Sequence, residues 1–127
     1  MKRKALAAFL LIVLISAMAF TGCTRKLMWS ENSGKDHIRA TYMRFSGTEK
    51  KVIKLDEGDT LLIDYQSEVN EGKLTLTLTD PEGNEVASLS ADTEGTRTID
   101  APESGKYALW IMGDKTGGSF EIEWSIE

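Results

Sequence analysis

Two stretches of this chain alternate strictly between apolar and polar residues. Leu74, Leu76 and Leu78 are interleaved with Thr75, Thr77 and Thr79, and Phe120, Ile122, Trp124 and Ile126 with Ser119, Glu121, Glu123 and Ser125. A period of two is the period of a strand with one buried face; an amphipathic helix would repeat its apolar residues every three to four positions. Glycine sets the longer rhythm. Gly47, Gly58, Gly72, Gly83, Gly95, Gly105 and Gly117 break the chain every 10 to 14 residues. Short strands at such spacing predict an all-β, antiparallel sandwich or barrel.

Six weaker strand candidates fill the intervals: Ile38 to Ser46, Lys50 to Leu55, Thr60 to Tyr65, Glu85 to Ser90, Thr96 to Ile99 and Lys106 to Met112. With the two alternating stretches the expected number is about eight. Asp80-Pro81-Glu82-Gly83 has turn chemistry, because proline presets φ at the second position and glycine tolerates positive φ. Asp56-Glu57-Gly58-Asp59 and Glu103-Ser104-Gly105 read the same way. No segment after Cys23 shows helical periodicity over three turns, and no parallel βαβ unit is present. Leu76 and Trp124, mid-strand on apolar faces, are the expected core residues.

The first two dozen residues have a different organisation. Lys2, Arg3 and Lys4 precede a run from Ala5 to Phe20 that is apolar apart from Ser16, and Thr21-Gly22-Cys23 follows. A positive start, a short apolar run and small residues before a boundary are the layout of a secretory signal peptide. Sixteen residues are short of the roughly 20 that a membrane span needs. Cys23 is the only cysteine, so no internal disulfide can form. Phe20-Thr21-Gly22-Cys23 resembles the lipobox of bacterial lipoproteins, with phenylalanine where leucine is usual. The resemblance implies cleavage before Cys23 and a diacylglyceryl thioether on its sulfur, with further acylation such as palmitate. Two or more chains, at about 0.8 kcal/mol per buried CH₂, hold a protein on a membrane where one does not. The expected organisation is a signal-peptide helix within 1–22, a lipidated cysteine and flexible tether over 23–37, and a β domain over 38–127. The tether contains one apolar group, Leu27-Met28-Trp29, suited either to packing on the domain or to a lipid interface.

Phe45-Ser46-Gly47, Gly72-Lys73-Leu74, Asp80-Pro81-Glu82-Gly83, Gly105-Lys106-Tyr107 and Gly118-Ser119-Phe120 give the domain a second likeness. It resembles bacterial pre-peptidase C-terminal domains and related jelly-roll sandwiches. The fold so implied is a jelly-roll-like antiparallel β-sandwich of about eight strands. Such domains are usually appendages of secreted enzymes; none is expected beside this one, so that accessory role is not carried over directly.

Charge and chemistry narrow the function. After Cys23 the chain carries 12 basic and 20 acidic residues, a balance that repels nucleic acid and anionic membrane surfaces. His37 is the only histidine, no serine sits in a nucleophile elbow, and the lone cysteine is assigned to the anchor. Glu121 and Glu123, about 7 Å apart along a strand, have a spacing that suits glycoside hydrolysis but read first as a solvated face. Zinc needs more histidine or cysteine than the chain has. Asp56, Glu57, Asp59, Asp80, Asp92, Asp100 and Asp114 lie at expected turns and strand ends without EF-hand spacing. No metal and no cofactor is expected. If Tyr107, Leu109 and Ile111 point into the core, then Ala108, Trp110 and Met112 point out, and Trp110 and Met112 become the candidate binding residues. The expectation is a lipid-anchored, extracytoplasmic protein of the cell membrane or outer membrane. It would be a non-catalytic binding or adaptor module for an envelope protein or polysaccharide. A structural envelope spacer is the alternative, and a carbohydrate-active enzyme ranks last.

Overall fold

A computed structural model describes residues 24–127. The expected signal peptide, with its helix, and Cys23 lie outside the described residues. Within them the chain forms seven antiparallel strands and no helix: β1 (Arg25–Leu27), β2 (Ser30–Ser33), β3 (His37–Leu55), β4 (Thr60–Thr79), β5 (Glu85–Leu89), β6 (Glu94–Asp100) and β7 (Gly105–Ile126). The strands hydrogen-bond in the order β1-β3-β7-β4-β5, with β2 beside β3 and β6 beside β4.

The three central strands are far longer than the usual five or six residues. Each joins two of the segments expected as separate strands, and each bends midway. The β3–β7 register shifts between Tyr42 and Gly47, and the β4–β7 register shifts between Val69 and Lys73. Bulges of this kind increase twist and turn a strand away from its partner. Residues Gly113 to Gly118 of β7 cross the same level. The sheet thereby folds over on itself. One layer contains β2, the first half of β3, the second half of β7, the first half of β4, and β6. The other contains the remaining halves of the long strands, and β5. The result is a jelly-roll-like antiparallel β-sandwich.

Glycine is required at the fold line because backbones converge there. Gly72 has a φ of +69°, and a Cβ on it would overlap the Lys115 and Asp114 carbonyl oxygens. Gly118 has a φ of +142°, and a Cβ would overlap the Glu68 carbonyl. Any side chain at either position would push β4 and β7 apart.

The two inner faces form one core. The first layer contributes Ile38, Ala40, Leu61, Ile63, Phe120, Ile122 and Trp124; the second contributes Ile53, Leu55, Leu74, Leu76, Leu78, Leu109 and Ile111, all buried. Leu76 and Trp124 point inward as the alternation requires. Six merged segments and two extra strands account for seven elements where about eight were expected.

The extra strands correct the reading of the tether. β1 pairs with Arg44 to Ser46, and β2 with Ile38 to Thr41, both on β3. Trp29 lies between them and stacks on Tyr42 at 5.4 Å, with Phe45 at 5.0 Å and Phe120 at 6.1 Å. Aromatic packing and edge hydrogen bonds order a segment whose composition alone reads as mobile.

Candidate functional site

The outward face of the second layer carries the predicted residues. Tyr107, Leu109 and Ile111 are fully buried, so the intervening side chains of β7 face out. Trp110 stands in a row with Lys50 of β3 and Thr77 of β4, and Met112 in the next row with Thr48 and Thr75. Ala108 lies between Val52 and Thr79. Met112 is 37% exposed and Val52 53% exposed. The central strand thus presents an apolar strip flanked by threonine hydroxyls.

Trp110 is half-buried and held in place. Its indole N–H donates to Thr79 Oγ1 at 2.9 Å, and the Lys50 ammonium sits 4.9 Å from its ring centroid. Neither the open-surface nor the fully covered environment describes it. The face places Trp110 and Met112 together and adds Val52, which the sequence reasoning missed. Alternation of Val52 with buried Ile53 in Lys51-Val52-Ile53-Lys54 was the available signal.

The outward face of the first layer is polar and slightly concave. A groove of about 460 Å³ is lined by Asp64, Tyr65, Gln66, Glu94, Gly95, Thr96, Glu121 and Glu123. Glu121 accepts a hydrogen bond from Gln66 Nε2 at 2.8 Å and lies 3.9 Å from the Arg39 guanidinium. These contacts hold Glu121 on a polar strand face. His37 is occupied locally, with Nδ1 3.0 Å from Asp36 Oδ1 and Nε2 3.2 Å from Asn32 Oδ1. The hydrogen bond from His37 keeps the Asp36 carboxyl below its usual range.

Of the acidic residues that sequence placed at turns, Asp80 joins a cluster that was not foreseen. Its carboxylate meets those of Glu82 and Glu103 within 4.8 Å. The Asp80 carboxylate already accepts the Glu82 and Asn84 backbone N–H groups, at 3.0 and 2.8 Å. Glu103 is pushed up to about 7, first by a proton shared with Glu82 and then by desolvation and the neighbouring negative charges. Asp56, Glu57 and Asp59 lie in their own turn, where Asp59 Oδ2 accepts the Asp56 N–H at 2.8 Å. Tyr42 is raised to about 12 by burial in the aromatic group around Trp29.

No family model matches this chain, and no curated protein matches it. Solved structures give loose likenesses. A pre-peptidase C-terminal domain of a Bacillus anthracis collagenase is 16% identical, with a TM-score of 0.49 over 74% of this chain and 100% of that one. A carbohydrate-binding module of a Cellvibrio mixtus lichenase, in complex with cellotriose, is 15% identical, with a TM-score of 0.46 over 80% and 88%. The C-terminal carbohydrate-binding module of a Zobellia galactanivorans laminarinase is 16% identical, with a TM-score of 0.46 over 80% and 86%. Likeness at this level assigns no ligand to this chain.

Proposed function

We propose that this protein is a lipid-anchored, extracytoplasmic binding or adaptor module without catalytic activity, held through Cys23. Its contact surface is the outer face around Trp110 and Met112, and its partner is an envelope protein or polysaccharide. The observation that supports this reading is the set of apolar side chains of Val52, Trp110 and Met112 on a face the core does not use, with Ala108 buried between its neighbours there. A fixed aromatic ring among threonine hydroxyls offers stacking and hydrogen bonding at little cost in side-chain entropy. The acidic groove of the other face lacks the enclosed, water-excluding environment in which carboxylate catalysis works.

Two variants test the reading. Cys23→Ser should accumulate as an unprocessed precursor without lipid; normal processing and membrane retention would refute the anchor. Trp110→Ala, folded by circular dichroism, should lose capture of its partner from both a purified cell-wall polysaccharide fraction and a detergent extract of envelope proteins. Loss from one fraction only identifies the partner's class. Unchanged capture from the fraction that binds wild type, or no capture by wild type from either, removes this face as the site.

A further inference from the structure

We infer that the folded end of the sandwich, carrying Leu27, Met28 and Met43, is the surface that rests on the lipid bilayer. This placement rests on the anchor proposed for Cys23. The register that pairs Leu27 with Arg44 and Ser30 with Thr41 sets Met28 opposite Met43. Leu27 is 52% exposed, Met28 72% and Met43 60%. Their neighbour Trp29 turns inward to the aromatic core, so the apolar tripeptide divides: the indole packs on the domain, and the two aliphatic side chains face out. Met28 has a φ of 54°, a left-handed conformation that strains a residue with a side chain. Its side chain remains in solvent at that strained kink and contributes no packing to the fold.

Charge is distributed to match. Arg25, Lys26, Arg44, Lys73 and Lys115 lie on β1 and on the bending segments of β3, β4 and β7, where Glu49, Glu68, Glu71 and Asp114 nearly balance them. Among them, Lys26 is paired with Glu49 and Arg44 lies 3.8 Å from Glu71. Asp56, Glu57, Asp59, Asp80, Glu82 and Glu103 gather at the far end, where the Glu57 N–H bonds Ser104 Oγ at 2.8 Å. The acidic domain as a whole is repelled by anionic headgroups, but the acid-rich far end is repelled most, which turns the nearly balanced, apolar end toward them. The chain enters that same end: Thr24, which follows Cys23 in sequence, packs against Gly47 at the bend. An anchor at Cys23 therefore leaves no long spacer between lipid and domain, and Leu27, Met28 and Met43 become the first side chains to reach the interface.

Full-length lipidated protein in phosphatidylcholine vesicles containing phosphatidylglycerol tests this placement. Met43→Cys, Met28→Cys and, at the far end, Ser104→Cys are each labelled with an environment-sensitive fluorophore; thioether formation blocks Cys23. Lipids brominated near the headgroup should quench positions 43 and 28 at least about twofold more than position 104, the depth of an interfacial apolar contact. Removing phosphatidylglycerol should reduce the difference. Vesicle-bound protein quenched equally at all three positions overturns the placement and leaves the anchor standing. Protein that fails to float with the vesicles overturns both.

Discussion

The fold line across β3, β4 and β7 makes a quantitative prediction at Gly72. Two glycines with similar backbone conformations differ in their surroundings. Gly72 has a φ of +69° and Gly83 a φ of +88°. A Cβ on Gly83 would meet nothing within 4 Å, whereas on Gly72 it would lie 2.5 Å from the Asp114 carbonyl and closer still to that of Lys115, against 3.4 Å or more for an ordinary contact. Alanine at positive φ costs about 1–2 kcal/mol, offset by about 0.4–1 kcal/mol from the reduced entropy of the unfolded chain. Gly83→Ala should therefore destabilise by about 1 kcal/mol. Gly72→Ala carries the same terms and must also open the β4–β7 contact by about 1 Å, which adds about 1–3 kcal/mol as for overpacking. Urea denaturation followed by circular dichroism measures both. With slopes of about 1–3 kcal/mol/M, the midpoint of Gly72→Ala should fall below that of Gly83→Ala by roughly 1 M. Coincident midpoints with equal slopes would refute the view that backbone convergence, rather than φ alone, requires glycine at the fold line.

Leu76, buried between the layers, should cost about 2–5 kcal/mol when replaced by alanine; a loss below 1 kcal/mol in the same melts would mean the strand faces the other way. Trp110→Ala should fall between a surface and a core substitution, at about 1–3 kcal/mol, because the half-buried ring loses its apolar cover and the Thr79 hydrogen bond. A cost within 0.5 kcal/mol of zero would show that Trp110 stands free of Thr79 and Lys50. Glu103 titrates near 7 in the folded protein against about 4.5 unfolded, so the folded state holds more protons in that interval. The stabilisation is full below the unfolded value and is lost as pH rises through 7. Melting temperatures should decline over that range and Glu103→Gln should flatten the decline; equal slopes for both proteins would refute it. Melting should be unchanged between EDTA and millimolar calcium, since Asp80 is engaged by its own turn. A rise of about 5 °C or more would show that the carboxylate cluster holds the ion.

Local pattern was enough to read the strand class, the inward face of each segment and the turn at Asp80-Pro81-Glu82-Gly83. Leu74, Leu76 and Leu78 must share a face because successive side chains of any strand alternate, whatever the strand pairs with. The same logic placed Trp110 and Met112 outward once Tyr107, Leu109 and Ile111 were taken as core. Tertiary structure decided whether adjacent segments were separate strands or halves of one. Residues 38–46 and 50–55 merge because the backbone stays hydrogen-bonded to β7 through a bulge, a property of the partner rather than of the segment. It also ordered Arg25 to Ser33. The polar composition there predicts mobility, but Trp29 finds Tyr42, Phe45 and Phe120 waiting across the edge of β3. The half-burial of Trp110 depends on Thr79 and Lys50, 31 and 60 residues away in sequence, and the meeting of Asp80 with Glu103 depends on how β6 returns the chain to the start of β7. Alternation is a property of one strand and can be read from it, whereas a bend, a stacked ring or a shared proton needs two segments to arrive at the same place.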